Sequence, residues 1–503
     1  MKILTTLVVG VVAVAAVAGP VRADAANRPL PEVSAGDIMP YLQELQRIAD
    51  RNGGNRAHGT PGYRESVEYV RNVLERAGFR TQGYDVQCYD VHVAYDPAAP
   101  DRFTGDTTIT LRATERLDRF SLDLYGFTVT SAEIDGVPAR NVRREGAHEL
   151  VIQPRTPIAA AKTVAVRVRY QGRPTGDGWH TYANGGAVAL GEPHSAAAWF
   201  PANDHPSDKA TFRLTATVPD GWRVISIGRP EKTASATTQR WVEDRPVATY
   251  LTTIAIDKFT VRTATTPDGL PLIFAYAPGK DPQPDSEALL PEIQAFLTDM
   301  FGPYPFSTSG ATVINAIDGE GAPMALETQG RPTYQDGFFD VSMVHEMTHQ
   351  WFGNSVSFRD WRDGCIAECF AQYANLLWEE HHEGMDLDQD FYVPTVEAVK
   401  DDPEYWQVHL YDPGPGKELD SALYFRGQLM LHALRRKIGD SAFFGTLKQW
   451  TSIHRYGNAS FLDFEKLAAQ VSRADLADFF AEWAHSSVVP SQKNLYPGTL
   501  SGH

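Results

Sequence analysis

Apolar residues recur at helical spacing near the start of the chain and then switch to alternation. Tyr41, Leu42, Leu45 and Ile48 form one stripe, and Val67, Val70, Val73 and Leu74 form another, which predicts two amphipathic helices over 38–80. Asn52-Gly53-Gly54-Asn55 and Gly59-Thr60-Pro61-Gly62 punctuate the connection. From about Tyr84 the period is two: Thr108–Leu111, Val164–Tyr170 and Phe212–Val218 alternate, with Asp135-Gly136 and Asp220-Gly221 as turns. Many short strands predict a β-sandwich. After a short strand at Leu272–Tyr276, helical spacing returns at Leu289, Leu290, Ile293, Phe296 and Leu297 and persists to about Ala484. The reading is an α+β multidomain chain: a helical extension at 24–83, a β-sandwich at 84–264, a mainly helical domain at 265–490 and a tail at 491–503.

The segment before this extension carries a different signal. Lys2, an apolar run from Ile3 to Ala18, and Gly19-Pro20-Val21-Arg22-Ala23 have the order of a secretory signal peptide spanning 1–23. No later run of 18 apolar residues occurs, so the mature chain is expected to lack a transmembrane segment and to be secreted. A net charge of −17 argues against a nucleic-acid partner, because phosphate binding draws on basic surface. Three cysteines in 503 residues cannot build a disulfide framework, so a packed core must hold the fold.

The strongest chemical signal is His345-Glu346-Met347-Thr348-His349. On a helix, residues four apart share a face, so both imidazoles can reach one metal while Glu346 points beside it. Asp340 is a suitable N-cap and Gly353 a suitable stop. A catalytic zinc takes three protein ligands and keeps one position open. Glu368, nineteen residues after His349, lies among Cys365, Ile366, Cys369, Phe370 and Tyr373, where a carboxylate needs a partner. The expected set is one Zn2+ per chain on His345, His349 and Glu368, with Glu346 as general base toward the attacking water.

At this point the chain resembles the aminopeptidase N family of zinc metallopeptidases, in a short form. His345 to Asn354 matches that family's zinc helix, and Glu368 falls at its third-ligand spacing. Trp199-Phe200-Pro201-Ala202-Asn203-Asp204-His205-Pro206 looks like its β-sandwich signature, and Phe301-Gly302-Pro303-Tyr304-Pro305-Phe306 like the start of its catalytic domain. The resemblance implies a thermolysin-like zinc catalytic domain and hydrolysis of N-terminal residues from peptides with a free N-terminus. It implies that Glu327, in Met324-Ala325-Leu326-Glu327-Thr328, binds the substrate α-amine, with Leu326 for the usual Met and Thr328 for the usual Asn. Glu192, twelve residues before Asp204, matches the second amine-binding Glu, and Tyr424 of Tyr424-Phe425-Arg426-Gly427 the oxyanion-stabilising Tyr.

Several features depart from the family or fall outside it. Ala367 and Cys369 stand where Asn and Gly are usual, while Asp363 and Phe370-Ala371 fit. Cys365 and Cys369 are expected to be packing residues, since a disulfide within one helix is strained. Asn52 to Tyr63 looks similar to the opening of secreted bacterial two-zinc aminopeptidases, but no matching ligand set follows. The resemblance ends near Trp483-Ala484-His485, which implies the absence of the covering helical domain of long members and a more open cleft. Two rival readings are an endopeptidase with the same metal chemistry and a non-catalytic binding protein that retains the fold.

Overall fold

The structure is a computed structural model that describes residues 35–56, 60–63, 65–66, 69–70, 83–317, 325–335 and 337–502. The signal segment at 1–23 lies outside the described residues, as do Met324 and, of the second N-terminal stripe, Val67, Val73 and Leu74. The first stripe forms helix α1, Ala35–Arg51. Among the described residues, those up to Tyr84 form one compact unit and those from Asp85 onward a second.

Alternation along the chain becomes an eight-stranded sheet. Its strands run in the order 229–231, 238–247, 210–217, 84–95, 103–113, 163–172, 127–134 and 137–138. Strand Phe103–Ala113 buries every second side chain, so one face is covered and the other meets water. Asp135 and Gly136, both at positive φ, make the two-residue turn between the last two strands. A three-stranded sheet (141–145, 149–153, 120–123) and a four-stranded sheet (179–181, 187–189, 254–257, 223–226) complete the β-rich part.

Strand Thr260–Thr265 pairs with Pro271–Tyr276 in a five-stranded sheet with 309–314, 333–335 and 325–326. The β-sandwich therefore ends before Thr260 rather than at 264. Both sides of the sequence boundary are strand, so the change of sheet leaves no mark in the element type.

The helical part follows as α2 (Pro284–Phe301), α3 (Asp340–His349), α4 (Glu368–His382), α5 (Val393–Val399), α6 (Pro403–Trp406) and α7 (Ser421–Ile438). Then come α8 (Asp440–Ile453), α9 (Phe461–Ser472), α10 (Ala477–Trp483) and α11 (Gln492–Leu495). Helix α7 starts where the Asp420 carboxylate accepts the Ala422 N–H at 3.0 Å and stops at Gly439, φ 79°, with Arg435, Arg436 and Lys437 in its last turn. Residues 491–502 are no tail: Leu495, Tyr496 and Leu500 are buried, and Trp483 Nε1 donates to the Asn494 carbonyl. Their apolar side chains cover surface that α7 and α10 would otherwise expose.

The β-rich and helical parts are fastened beside α3. The half-buried Lys209 ammonium donates to the carbonyls of Asn354 (2.7 Å) and Ser355 (3.0 Å), just beyond that helix. Arg331, which is buried, donates to the Ser226 and Gly228 carbonyls.

Candidate active site

Helix α3 begins one residue earlier in function than its sequence suggests. Phe339, in extended conformation, is the N-cap, and its N–H is accepted by Ser342 Oγ at 3.1 Å, so Asp340 opens the helix rather than capping it. Phe339 has no polar side-chain atom to offer the first turn, and Ser342 Oγ also donates to the Phe339 carbonyl at 2.9 Å. His345 and His349 then face the same side with ring centroids 4.8 Å apart. At the far end Gly353 has φ 111°, and a Cβ there would lie 3.2 Å from Ala367 Cβ and 3.5 Å from His349 Nδ1. Glycine both allows the turn and leaves room for the ligand ring. His349 Nδ1 lies 3.2 Å from the Phe352 carbonyl, the contact that fixes a ring for coordination through its other nitrogen.

Glu368, the first residue of α4, meets both rings. One carboxylate oxygen lies 3.5 Å from His345 Nε2 and 3.6 Å from His349 Nε2. Around a tetrahedral ion with bonds of about 2.1 Å, ligand atoms sit about 3.4 Å apart, so the spacing fits zinc and its N/O donors suit it. Gln372, one turn along α4, lies beside the His345 ring, outside the set.

Three more carboxylates close on these ligands. Glu192, Glu327 and Glu368 offer oxygens within 4.8 Å of one another, and the donor atoms of Glu327, Glu346 and His349 are equally close. Glu327 leaves strand Ala325–Leu326 and is 3% exposed, and its Oε1 has no hydrogen-bond partner. Two side chains of the zinc-helix motif hold its backbone: Asn354 Nδ2 donates to the Glu327 carbonyl at 2.7 Å, and Gln350 Oε1 accepts the Gly330 N–H at 2.7 Å. Burial pushes the Glu327 carboxyl up to about 7, the Glu368 charge adding to it and His349 opposing it. Burial likewise raises Glu192 and Glu346 well above the carboxylate range, reinforced in each by the neighbouring carboxylates. Burial favours neutral His349, yet Glu368 and Glu327 overcome it and push the imidazole well up. Glu368 goes the other way: burial opposes ionisation, but the two imidazoles hold it below the usual range. Three buried carboxylates and the half-buried Glu192 beside two imidazoles are a site short of positive charge.

Tyr424, in the first turn of α7, stacks near His345 with centroids 6.0 Å apart and lies beside Glu368. Burial and the surrounding carboxylates raise its phenol, which keeps it a proton donor. All seven residues expected from the sequence thus gather in one place. Sequence reading missed Tyr250, buried against Glu327 and stacked on Phe358, and the outer contact of Gln372. Glycine at 191 lets the chain before Glu192 lie against Tyr250, since a Cβ would come 2.8 Å from its carbonyl oxygen.

Cys365 and Cys369 correct an expectation. They form a disulfide with Cα atoms 4.8 Å apart. Cys365 lies in a 3-10 turn, Trp361–Ile366, and Cys369 in the first turn of α4, so the bridge joins two elements and the objection to an intrahelical bond does not apply.

The chain matches the Peptidase M1 N-terminal domain over residues 86–251 and the Peptidase family M1 domain over 329–483. A solved two-domain M1 zinc metallopeptidase, bound to L-tryptophan, is 30% identical, and the match covers 78% of this chain and 94% of that one with a TM-score of 0.69. The chain belongs to peptidase family M1. A Deinococcus radiodurans M1 zinc metallopeptidase, solved as a variant bound to a Tyr-Ser-Ala substrate, gives a TM-score of 0.72 at 29% identity over 81% of this chain and 95% of that one. Aminopeptidase N of Lactococcus lactis is 25% identical across 77% of this chain and 49% of its own. Tricorn protease-interacting factor F2 of Thermoplasma acidophilum is 25% identical across 59% of this chain and 40% of its own. The M1 chain here therefore spans about half the length, or less, of these curated relatives.

Proposed function

We propose that this M1 chain is a secreted zinc aminopeptidase that removes N-terminal residues from peptides. The observation that carries the proposal is the buried Glu327 carboxylate, with one oxygen unpartnered, within 4.8 Å of carboxylate oxygens from Glu192 and Glu368. Glu368 is turned to the imidazoles, which leaves Glu192 and Glu327 to take a cation from the cleft. A substrate α-ammonium supplies that charge and forms charge-assisted hydrogen bonds with both. Anchoring the N-terminus one residue from the metal ligands presents only the first peptide bond for attack.

His345, His349 and Glu368 would hold the zinc, with one position left open. When bound, zinc supplies Lewis acidity, polarising a carbonyl and making water a competent nucleophile at neutral pH. Glu346, buried and raised in pKa, accepts the proton of the attacking water and returns it to the leaving amine. Tyr424 donates its phenolic hydrogen to the oxyanion as charge develops. Tyr250 is buried beside the Glu327 carboxyl.

Export is supported by the order of charged, apolar and small residues at the N-terminus and by the Cys365–Cys369 bridge, a bond that persists in oxidising compartments. The test is a panel of aminoacyl-naphthylamides and matched N-acetylated peptides, with and without chelator. Free-amine substrates are expected to be cleaved, chelator to stop the reaction and zinc to restore it. Equal turnover of N-acetylated peptides would make the chain an endopeptidase, and full metal without turnover would make it a binding protein.

A further inference from the structure

The third metal ligand occupies the weakest point of its helix. Glu368 is the first residue of α4, and its N-cap, Ala367, makes no side-chain capping bond. An uncapped helix start opens at low free-energy cost, so a ligand placed there needs another restraint. Backbone bonds at the junction run from Ala367 N–H to the Gly364 carbonyl and from Ala371 N–H to the Ala367 carbonyl, both 3.0 Å. The remaining link is covalent. Cys365 and Cys369 bracket Glu368, and both are 0% exposed.

The bridge also touches the helix that carries Tyr424. At Gly427, three residues on in α7, a Cβ would lie 2.8 Å from Cys369 Cβ and 3.1 Å from its Cα, and closer still to Cys369 Sγ. The α7 backbone therefore rests directly on the cystine. Tyr424, one turn before Gly427, lies beside Glu368, and Gln372 lies beside His345. Glu368, the bridge and Tyr424 form one packed unit.

We propose that the Cys365–Cys369 disulfide is the positioning element of the metal site, holding Glu368 in place and setting the approach of the Tyr424 helix, so that tight metal retention requires the oxidised protein. This rests on the reading of His345, His349 and Glu368 as the metal ligands. Because the bridge closes a five-residue loop, it removes little entropy from the unfolded chain, and its effect is local. The protein would be loosely metallated while its thiols are reduced and would mature on oxidation. In that step two thiols lose two protons and two electrons to a disulfide oxidant such as oxidised glutathione, which leaves as two thiols.

The experiment uses the full holoprotein in three forms: oxidised, reduced by a water-soluble phosphine, and Cys365→Ser/Cys369→Ser. In the reduction the S–S bond breaks to two thiols while the phosphine gains oxygen from water. Thiol titration after denaturation verifies it by a rise from one thiol, Cys88, to three. Zinc release to a chromophoric chelator is expected to be at least tenfold faster in the reduced and the double-Ser forms, while the melting temperature of the apoproteins stays within a few degrees. Phosphine is expected to leave the double-Ser form unchanged. Equal release from all three forms overturns the proposal, as does a collapse of apoprotein melting that accounts for the faster release. Should the double-Ser chain fail to fold, the reduced wild type decides. His349→Ala separates the two layers: if the oxidised wild type retains one zinc and His349→Ala none, the ligand reading stands whichever way the bridge behaves.

Discussion

A carboxylate with a free oxygen at 3% exposure, as at Glu327, is a costly thing to build, and its neighbours show what offsets it. The charge it lacks is one that a substrate can bring. Glu327→Gln is therefore expected to raise KM for free-amine substrates by about 10- to 100-fold, the worth of one charge-assisted hydrogen bond, with a smaller change for amine-less analogues. Glu346→Gln is expected to lower kcat by about 10²- to 10⁴-fold while the zinc content stays at that of the wild type. Steady-state kinetics with metal analysis on the same samples check both. Among these residues His345, His349 and Glu346 were legible from helical spacing alone, and Glu368 from a carboxylate among apolar neighbours. Glu192, Glu327 and Tyr424 had no such signature and were found by resemblance. Tyr250 and Gln372 stayed hidden because a neutral polar side chain carries no spacing rule that links it to a metal helix.

Helix ends decide more of this site than helix middles. Glu368 and Tyr424 lie in first turns, His349 in a last one, and glycines at 353 and 427 let the elements close. Gly427→Ala, which drives a methyl against Cys369, is expected to displace α7 and lower kcat more than it raises KM, as steady-state kinetics would record. The period of the sequence located these helices but not their first residues, and the disulfide was misjudged for that reason: Cys365 belongs to a turn of different pitch. The far end of α7 bears a second testable contact. Asp388 takes hydrogen bonds from His432 Nε2 (2.7 Å) and Arg436 Nε (2.6 Å), and its carboxyl is held below the usual range, burial opposing and these two partners prevailing. A depressed carboxyl stabilises the fold fully above its unfolded value of about 4 and ceases to do so as pH falls through its folded value. Asp388→Asn is expected to cost about 1–3 kcal/mol at pH 7, and the difference in melting temperature from wild type should shrink below about pH 4.

Across the whole molecule the β-rich part is a working part of the site. It supplies Glu192 and Tyr250, and Lys209 fastens it to the loop after α3. The order of extension, sandwich and helical domain was legible in the change of period, whereas the sheet exchange before Thr260 and the packing of residues 491–502 depend on tertiary contacts that no local pattern encodes. Two helices bring His345, His349 and Glu368 together as the expected ligands of one cation. Elsewhere among the described residues Asp123, His148 and Glu149 also bring donor atoms together, although an ordinary Asp123–His148 pair at 3.6 Å accounts for them. Crystals of the purified protein, measured at energies above and below the zinc edge, test the claim directly. The account predicts a single anomalous peak about 2.0–2.2 Å from His345 Nε2, His349 Nε2 and a Glu368 oxygen. A peak at Asp123 and His148 instead, or none between the three expected ligands in active protein, would contradict it.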